Sequence, residues 1–382
     1  MTEIEVKWDQ ASARRLERAG LTAPLSGDVA ATVAAMAGAH AQVMSAAEVS
    51  VAMRTAGAVA TDVRDALWDS RTLIKTYGPR GTVHLLPATD LPAWLGALSA
   101  LPGNPNRHPD GIRLDAEQEA AVIDAVRETL ADGAELTAEE LDEAVAARCG
   151  EWAADPVIPA FSADNFWPRW RPAISVAAHR GVLCFGPNRG RKTTYTSPGV
   201  TPLSAQDGLA IVVRAYLTAY GPATPANFAK WFGGPPAWAT KVFAGLGDAL
   251  TEVTFAGTSA YVAAGDVEFP DAPARSVRLL PYFDAYGIAG QPRELLFPGR
   301  AAERALNRGQ AGNFPVLLVD GEAAGVWHLK KSGRKAAITV EALDPLGDDR
   351  LTELYAQVDR LGELLDVRTG LTLGEVTVGG HA

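Results

Sequence analysis

A pattern that recurs three times constrains this chain more than any single residue does: a helix opened by a hydroxyl side chain, then a second helix, then a β-hairpin. Ser45-Ala46-Ala47-Glu48 reads as a capping box, with a hydroxyl at the N-cap and a carboxylate three residues on, ahead of Val49, Ala52 and Met53. Thr137-Ala138-Glu139-Glu140 repeats it before Leu141 and Val145. Thr224-Pro225-Ala226-Asn227 is a weaker third copy, with proline at the first helical position and Phe228, Trp231 and Phe232 following. After the first start, Asp62 is placed to cap a helix through Val63, Ala66 and Leu67. The alternating Leu73-Lys75-Tyr77 then turns through Gly78-Pro79-Arg80-Gly81 into residues 82–86. After the second, a helix over 170–179 ends at Gly181, and residues 182–185 and 193–195 flank a cationic loop. After the third, residues 249–255 turn at Gly257 into Tyr261-Val262. Helix, helix, hairpin is the outline of a winged helix, so the repeat predicts three in tandem.

Beyond residue 275 the pattern changes to strands. Residues 278–281 and 314–319 read as buried strands, Asp320-Gly321 as a hairpin turn into residues 324–328, residues 335–340 as a further strand and 349–365 as an amphipathic helix. The expectation is an α+β chain: an N-terminal helix and first winged helix over 1–115, a second over 116–205, a third over 206–275 and a β-rich segment over 276–382.

Hydrophobic residues at 47% and charged ones at 21% suit a soluble globular protein. There is no apolar run long enough for a membrane span and no signal-peptide pattern at the start, which points to the cytoplasm, with action on the nucleoid. Cys149 and Cys184 are too few for a disulfide framework and read as buried thiols. No P-loop, dinucleotide fingerprint, nucleophile elbow or metal-ligand spacing is present, so neither a cofactor nor a metal is expected. The net charge of -10 argues against nucleic acid, but phosphate is bound by a local face rather than by the sum.

Positive charge gathers in the hairpin turns. The first has Lys75 and Arg80, with Thr82 and His84 on the same hairpin; the second has Asn188, Arg189, Arg191 and Lys192; the last has Lys330, Lys331, Arg334 and Lys335. With Arg54, these are the candidate DNA contacts. Glycine-containing tips with several cations approach a phosphate backbone closely.

In this order, the segments resemble the winged-helix DNA glycosylases that remove bulky or crosslinking alkyl adducts, the AlkZ and YcaQ types. The resemblance rests on residues 39–42, 80–87, 180–190, 279–284 and 320–327 and spans nearly the whole chain. It implies a functional signature of two polar residues flanking an apolar one before the first helix-turn-helix: Gln-x-Gln in one type and Gln-x-Asp in the other. Here those positions hold His40 and Gln42, a His-x-Gln variant. It also implies a concave basic cleft and, as partner, double-stranded DNA carrying alkylated bases.

An N7-alkylated guanine is cationic and leaves without prior protonation, so the enzyme needs chiefly to aim a water at the anomeric carbon. A carboxamide at Gln42 suits that task, and a neutral imidazole at His40 aligns the water or accepts its proton. At i and i+2 the two side chains converge if the segment is extended and diverge by about 200° if it is helical. The expected activity is a monofunctional glycosylase without lyase chemistry, acting as a monomer. Two rivals are a winged-helix regulator without enzymatic activity and a protein that sequesters the genotoxin.

Overall fold

The computed structural model describes residues 4–103, 109, 112–160, 165–271 and 275–381. Three stretches share one order of elements: helix, short strand or bridge, helix, helix, hairpin. In the first, helix Val29–Ala35, strand Ala39–His40 and helices Met44–Ala52 and Ala60–Trp68 precede the hairpin Leu73–Tyr77 and Val83–Pro87. The short strand pairs with the second arm of that hairpin, making a three-stranded sheet. In the second, helix Ala116–Thr129, strand Leu136–Thr137 and helices Ala138–Cys149 and Ile174–His179 precede Cys184–Arg189 and Lys192–Thr196, again with the short strand on the second arm. In the third, helices Ala205–Tyr220, Pro225–Phe232 and Pro236–Leu246 precede Leu250–Phe255 and Thr258–Ala263, and a bridge from Ala223 to Tyr261 takes the short strand's place.

The capping boxes at Thr137 and Thr224 are formed, each hydroxyl accepting from the backbone N–H three residues on. The expected box at Ser45 is not. That helix starts at Met44 with Val43 at its N-cap, and Glu48 instead takes Arg64 in two 2.6 Å hydrogen bonds. Asp62 does not precede its helix; it lies in the first turn, and its carboxylate accepts from Val59 N–H. The helix expected from residue 170 begins at Ile174, after a 3-10 turn over Arg171–Ala173. Cys184 is buried as expected, whereas Cys149 is only half-buried.

The C-terminal part is a five-stranded sheet in the order Val277–Leu280, Val316–Val319, Glu322–Ser332, Lys335–Ala342 and Arg368–Leu373, with helix Asp348–Leu365 packed on it. At the Asp320-Gly321 turn both residues have positive φ, the requirement of a tight hairpin. The last strand, parallel to its neighbour, lies beyond the elements expected from the sequence.

Core packing explains how distant segments meet. One apolar cluster runs from Val33 and Leu73 through Leu217, Phe228 and Phe232 to Leu279, Leu317, Ile338 and Leu361, so the first and third units and the C-terminal sheet share it. The second unit has its own cluster around Leu141, Val145, Trp170 and Tyr195. Helix Leu91–Ser99 lies directly against helix Ala205–Tyr220 at Gly96 and Gly208. A Cβ on Gly208 would stand 2.5 Å from Ala97 N, so only glycine permits this approach. No helix among the described residues is long and apolar enough to cross a membrane.

Candidate active site

Residues 39–41 are extended. His40 pairs with His84 across the sheet, and Ala41 N–H donates to Val83 O at 2.8 Å. Side chains alternate along such a segment, so Ala41 turns into the core while His40 and Gln42 reach one cavity of about 420 Å³. His40 is buried and Gln42 exposed.

The first unit supplies His40, Gln42, Arg80 and Thr82 to this cavity; the third supplies Asn227, Lys230 and Trp231. The remaining wall comes from Phe283, Ile288, Ala289, Gln291, Arg293, residues 309–311 and Asn313. Arg15 ties two of these parts together: its fully buried guanidinium donates to the carbonyls of Gly221, Pro222 and Gln291. Asn227 enters the cavity from its own capping box, where Oδ1 accepts from Thr224 N–H at 3.0 Å. Among the described residues no carboxylate lines the cavity, and three cations do: Arg80, Lys230 and Arg293.

The rings of His40 and His84 lie 4.2 Å apart. His84 Nδ1 stands 2.9 Å from Thr82 O, and since a carbonyl only accepts, that nitrogen carries the proton. His40 Nε2 lies 3.3 Å from Arg80 Nη2, which only donates. His40 Nε2 is therefore the acceptor, and Nδ1 bears the hydrogen. Burial, then His84 and then Arg80 hold the His40 pKa well below 6.5, and burial and Arg80 push that of His84 down to about 3. Both imidazoles are neutral at pH 7, and His40 is a much weakened base.

Arg80 lies in the turn of the first hairpin, with its side chain half-buried and directed inward. Its backbone sits at φ 60 against Gly233, where a Cβ would come within 2.9 Å of Arg80 Cα. Its guanidinium donates to Trp231 O as well as facing His40. Burial lowers its pKa to about 10, which leaves it charged at neutral pH. Arg80 also lines a neighbouring groove of about 860 Å³, with Leu98, Arg113, Val176, His179 and Arg180, the last three from the second unit.

Two expected DNA contacts are contradicted by their burial. Arg54 is fully buried, paired with Asp284 at 2.8 and 2.9 Å, and so unavailable to phosphate. His84 is 2% exposed, its ring against His40. Thr82 donates to Pro79 O, and half-buried Lys75 lies over the Phe185 ring at 4.8 Å. The remaining candidates are exposed and away from the cavity: Asn188, Arg189, Arg191 and Lys192 on the second hairpin, Lys330, Lys331, Arg334 and Lys335 on the last. Arg189 pairs with Glu140, Lys192 with Glu139 and Arg334 with Asp366. Among the described residues no cluster of metal-ligating side chains occurs.

A sequence model of the AlkZ-like DNA glycosylases matches residues 33–364. The chain belongs to the AlkZ-like DNA glycosylase family. An interstrand DNA cross-link repair glycosylase of Streptomyces sahachiroi is 31% identical over 344 residues, 85% of this chain and 89% of that one. The solved structure of Streptomyces sahachiroi DNA glycosylase AlkZ superposes with a TM-score of 0.79 at 25% identity, covering 97% of this chain and all of the other. In this AlkZ-like glycosylase Lys230 and the wall over residues 285–313 carry no signal of their own in the sequence. Only the apolar strand pattern on either side marks where that wall begins and ends.

Proposed function

We propose that this glycosylase hydrolyses the N-glycosidic bond of bulky N7-alkylguanine and related cationic adducts in double-stranded DNA, interstrand crosslinks included, without lyase chemistry. The observation that carries the reading is the convergence of His40 and Gln42, from one extended segment, on a cavity that no carboxylate lines among the described residues. A strong general acid is dispensable when the leaving base is already positively charged. What remains is to hold a water and exclude alternatives. Exposed Gln42 orients that water through its carboxamide. Neutral His40, weakened as a base, fixes the water's place rather than deprotonating it in the ground state.

The cross-link repair activity named for the Streptomyces sahachiroi relative supports the crosslink part of the reading. It also fits a role in repair of, or self-resistance to, a genotoxic natural product. The order helix, short strand, helix, helix, hairpin fits a winged helix in each of the three units, consistent with the divisions at residues 115, 205 and 275. Lys75 and the exposed hairpin cations then position the DNA backbone. We further propose a monomer acting on the nucleoid in the cytoplasm. A regulator that reads bases is disfavoured: Arg64, the one cation of helix Ala60–Trp68, is held by Glu48, beside Asp65 and Asp69.

The test is incubation with a duplex containing N7-alkylguanine, followed by alkaline cleavage. Strand breaks that disappear in His40→Ala and Gln42→Ala support the proposal. Tight DNA binding with no abasic sites would overturn it.

A further inference from the structure

The wall contributed by the C-terminal part contains one residue whose backbone is strained. Phe283 lines the cavity at φ 54, a conformation that side-chain-bearing residues seldom adopt. Such strain persists only where the surroundings over-determine it, and it gathers at functional sites. Four anchors hold Phe283 here. Its N–H donates to Gly312 O at 2.9 Å. A Cβ on Gly312 would lie 3.0 Å from the Phe283 ring, so the loop is pressed against it. The next residue, Asp284, is locked by Ser50 and Arg54. On another side the ring of His381 meets Phe283 edge-on at 5.4 Å and Tyr282 at 5.6 Å. His381 is itself fastened to Asn313, its N–H donating to Asn313 O at 2.7 Å and its carbonyl accepting from Asn313 Nδ2 at 2.6 Å.

We propose that Phe283, buttressed by His381, is the specificity-determining face of the site, against which the planar part of a bulky adduct stacks. The inference rests on the glycosylase reading above. Phe283 is half-buried, held by its backbone and by His381, and lines the cavity, so ring surface is offered to a ligand there. Stacking favours a flat substituent over an aliphatic one of similar bulk, so Phe283 sorts lesions by shape. His40 and Gln42 act on a glycosidic bond common to all of them.

The test compares single-turnover release of N7-benzylguanine and N7-(cyclohexylmethyl)guanine from otherwise identical duplexes. The wild-type protein is expected to prefer the benzyl adduct about tenfold, within the range that stacking on an aromatic side chain supplies. Phe283→Leu, which keeps apolar bulk, is expected to erase the preference, and Phe283→Tyr to keep it. His381→Ala is expected to reduce it several-fold and His381→Phe to restore it. A wild-type preference below twofold, or one that survives in Phe283→Leu, overturns the inference. Release of neither base by the wild-type protein instead overturns the glycosylase reading on which it rests. Because the readout is a ratio of two substrates on one protein, general loss of folding does not imitate the expected result.

Discussion

The Arg54–Asp284 pair offers the sharpest quantitative test of how this fold is held. Side-chain exposures of 1% and 3% place both charges out of water, and the hydrogen bonds at 2.8 and 2.9 Å are bidentate. Asp284 also accepts from Ser50 Oγ at 2.7 Å and from Tyr286 N–H, capping helix Ala285–Ala289. Asp284→Asn keeps the size and an acceptor for the cap but removes the charge, leaving a buried guanidinium uncompensated. Breaking a buried pair in this way costs about 3–5 kcal/mol. Arg54→Met strands the carboxylate and is expected to cost a similar amount. The double variant removes both charges, so its loss is expected to fall well short of the sum of the two single losses. Urea unfolding at 25 °C, followed by tryptophan fluorescence and by circular dichroism, measures all four proteins. Asp366→Asn is the control: its pair with Arg334 is 86% and 90% exposed, and such surface pairs contribute about 0–1 kcal/mol. Single losses near that of the control, or a double variant equal to the sum, would refute the assignment of Arg54 and Asp284 as a desolvated, mutually dependent pair.

Four further outcomes follow from the geometry. Gln42→Ala is expected to slow base release by about 10²-fold at unchanged affinity for undamaged DNA, measured under single-turnover conditions. Burial holds His40 and His84 neutral in the native state while the unfolded chain takes up protons at about pH 6.5, so stability falls as pH drops below that value. At pH 5 His84 accounts for up to about 2 kcal/mol, His40 adds a loss of the same sign, and urea titrations at pH 7 and pH 5 read the difference. Replacing Lys330, Lys331, Arg334 and Lys335 by alanine should flatten the dependence of log affinity on log salt by about 0.9 for each phosphate no longer neutralised, as fluorescence anisotropy would show. Gly208→Ala is expected to destabilise the protein by about 1–3 kcal/mol in urea, because its Cβ meets the backbone of the neighbouring helix.

What the sequence disclosed was local chemistry. The boxes at Thr137 and Thr224 are visible because cap and partner lie three residues apart, and the hairpins because alternation and turn residues are contiguous. Ser45 misled because Glu48, its apparent partner, belongs to Arg64 on the following helix. Arg54 and His84 misled in the same way. Cation-rich or hairpin context says nothing about burial, which depends on Asp284 and His40 arriving from elsewhere in the chain. That His40 and Gln42 face one side was legible because an extended i, i+2 pair carries its own geometry. The opposing wall was not, because residues 285–313 are short helices and loops without period, assembled through Arg15, Arg54 and Gly312.

The division of the cavity among three parts of the chain has a consequence for biosynthesis. The ribosome completes the strand bearing His40 and Gln42 long before it has made Phe283, Arg293 or Gln310. The core that brings these segments together needs Leu317, Ile338 and Leu361, which come later still. Folding proceeds from the N-terminal end during synthesis, so the cavity of a nascent chain is still open on one side after the first unit has formed. A chain that stops before Phe283 therefore lacks one wall of the cavity, and the chamber is complete only once the C-terminal sheet has been made.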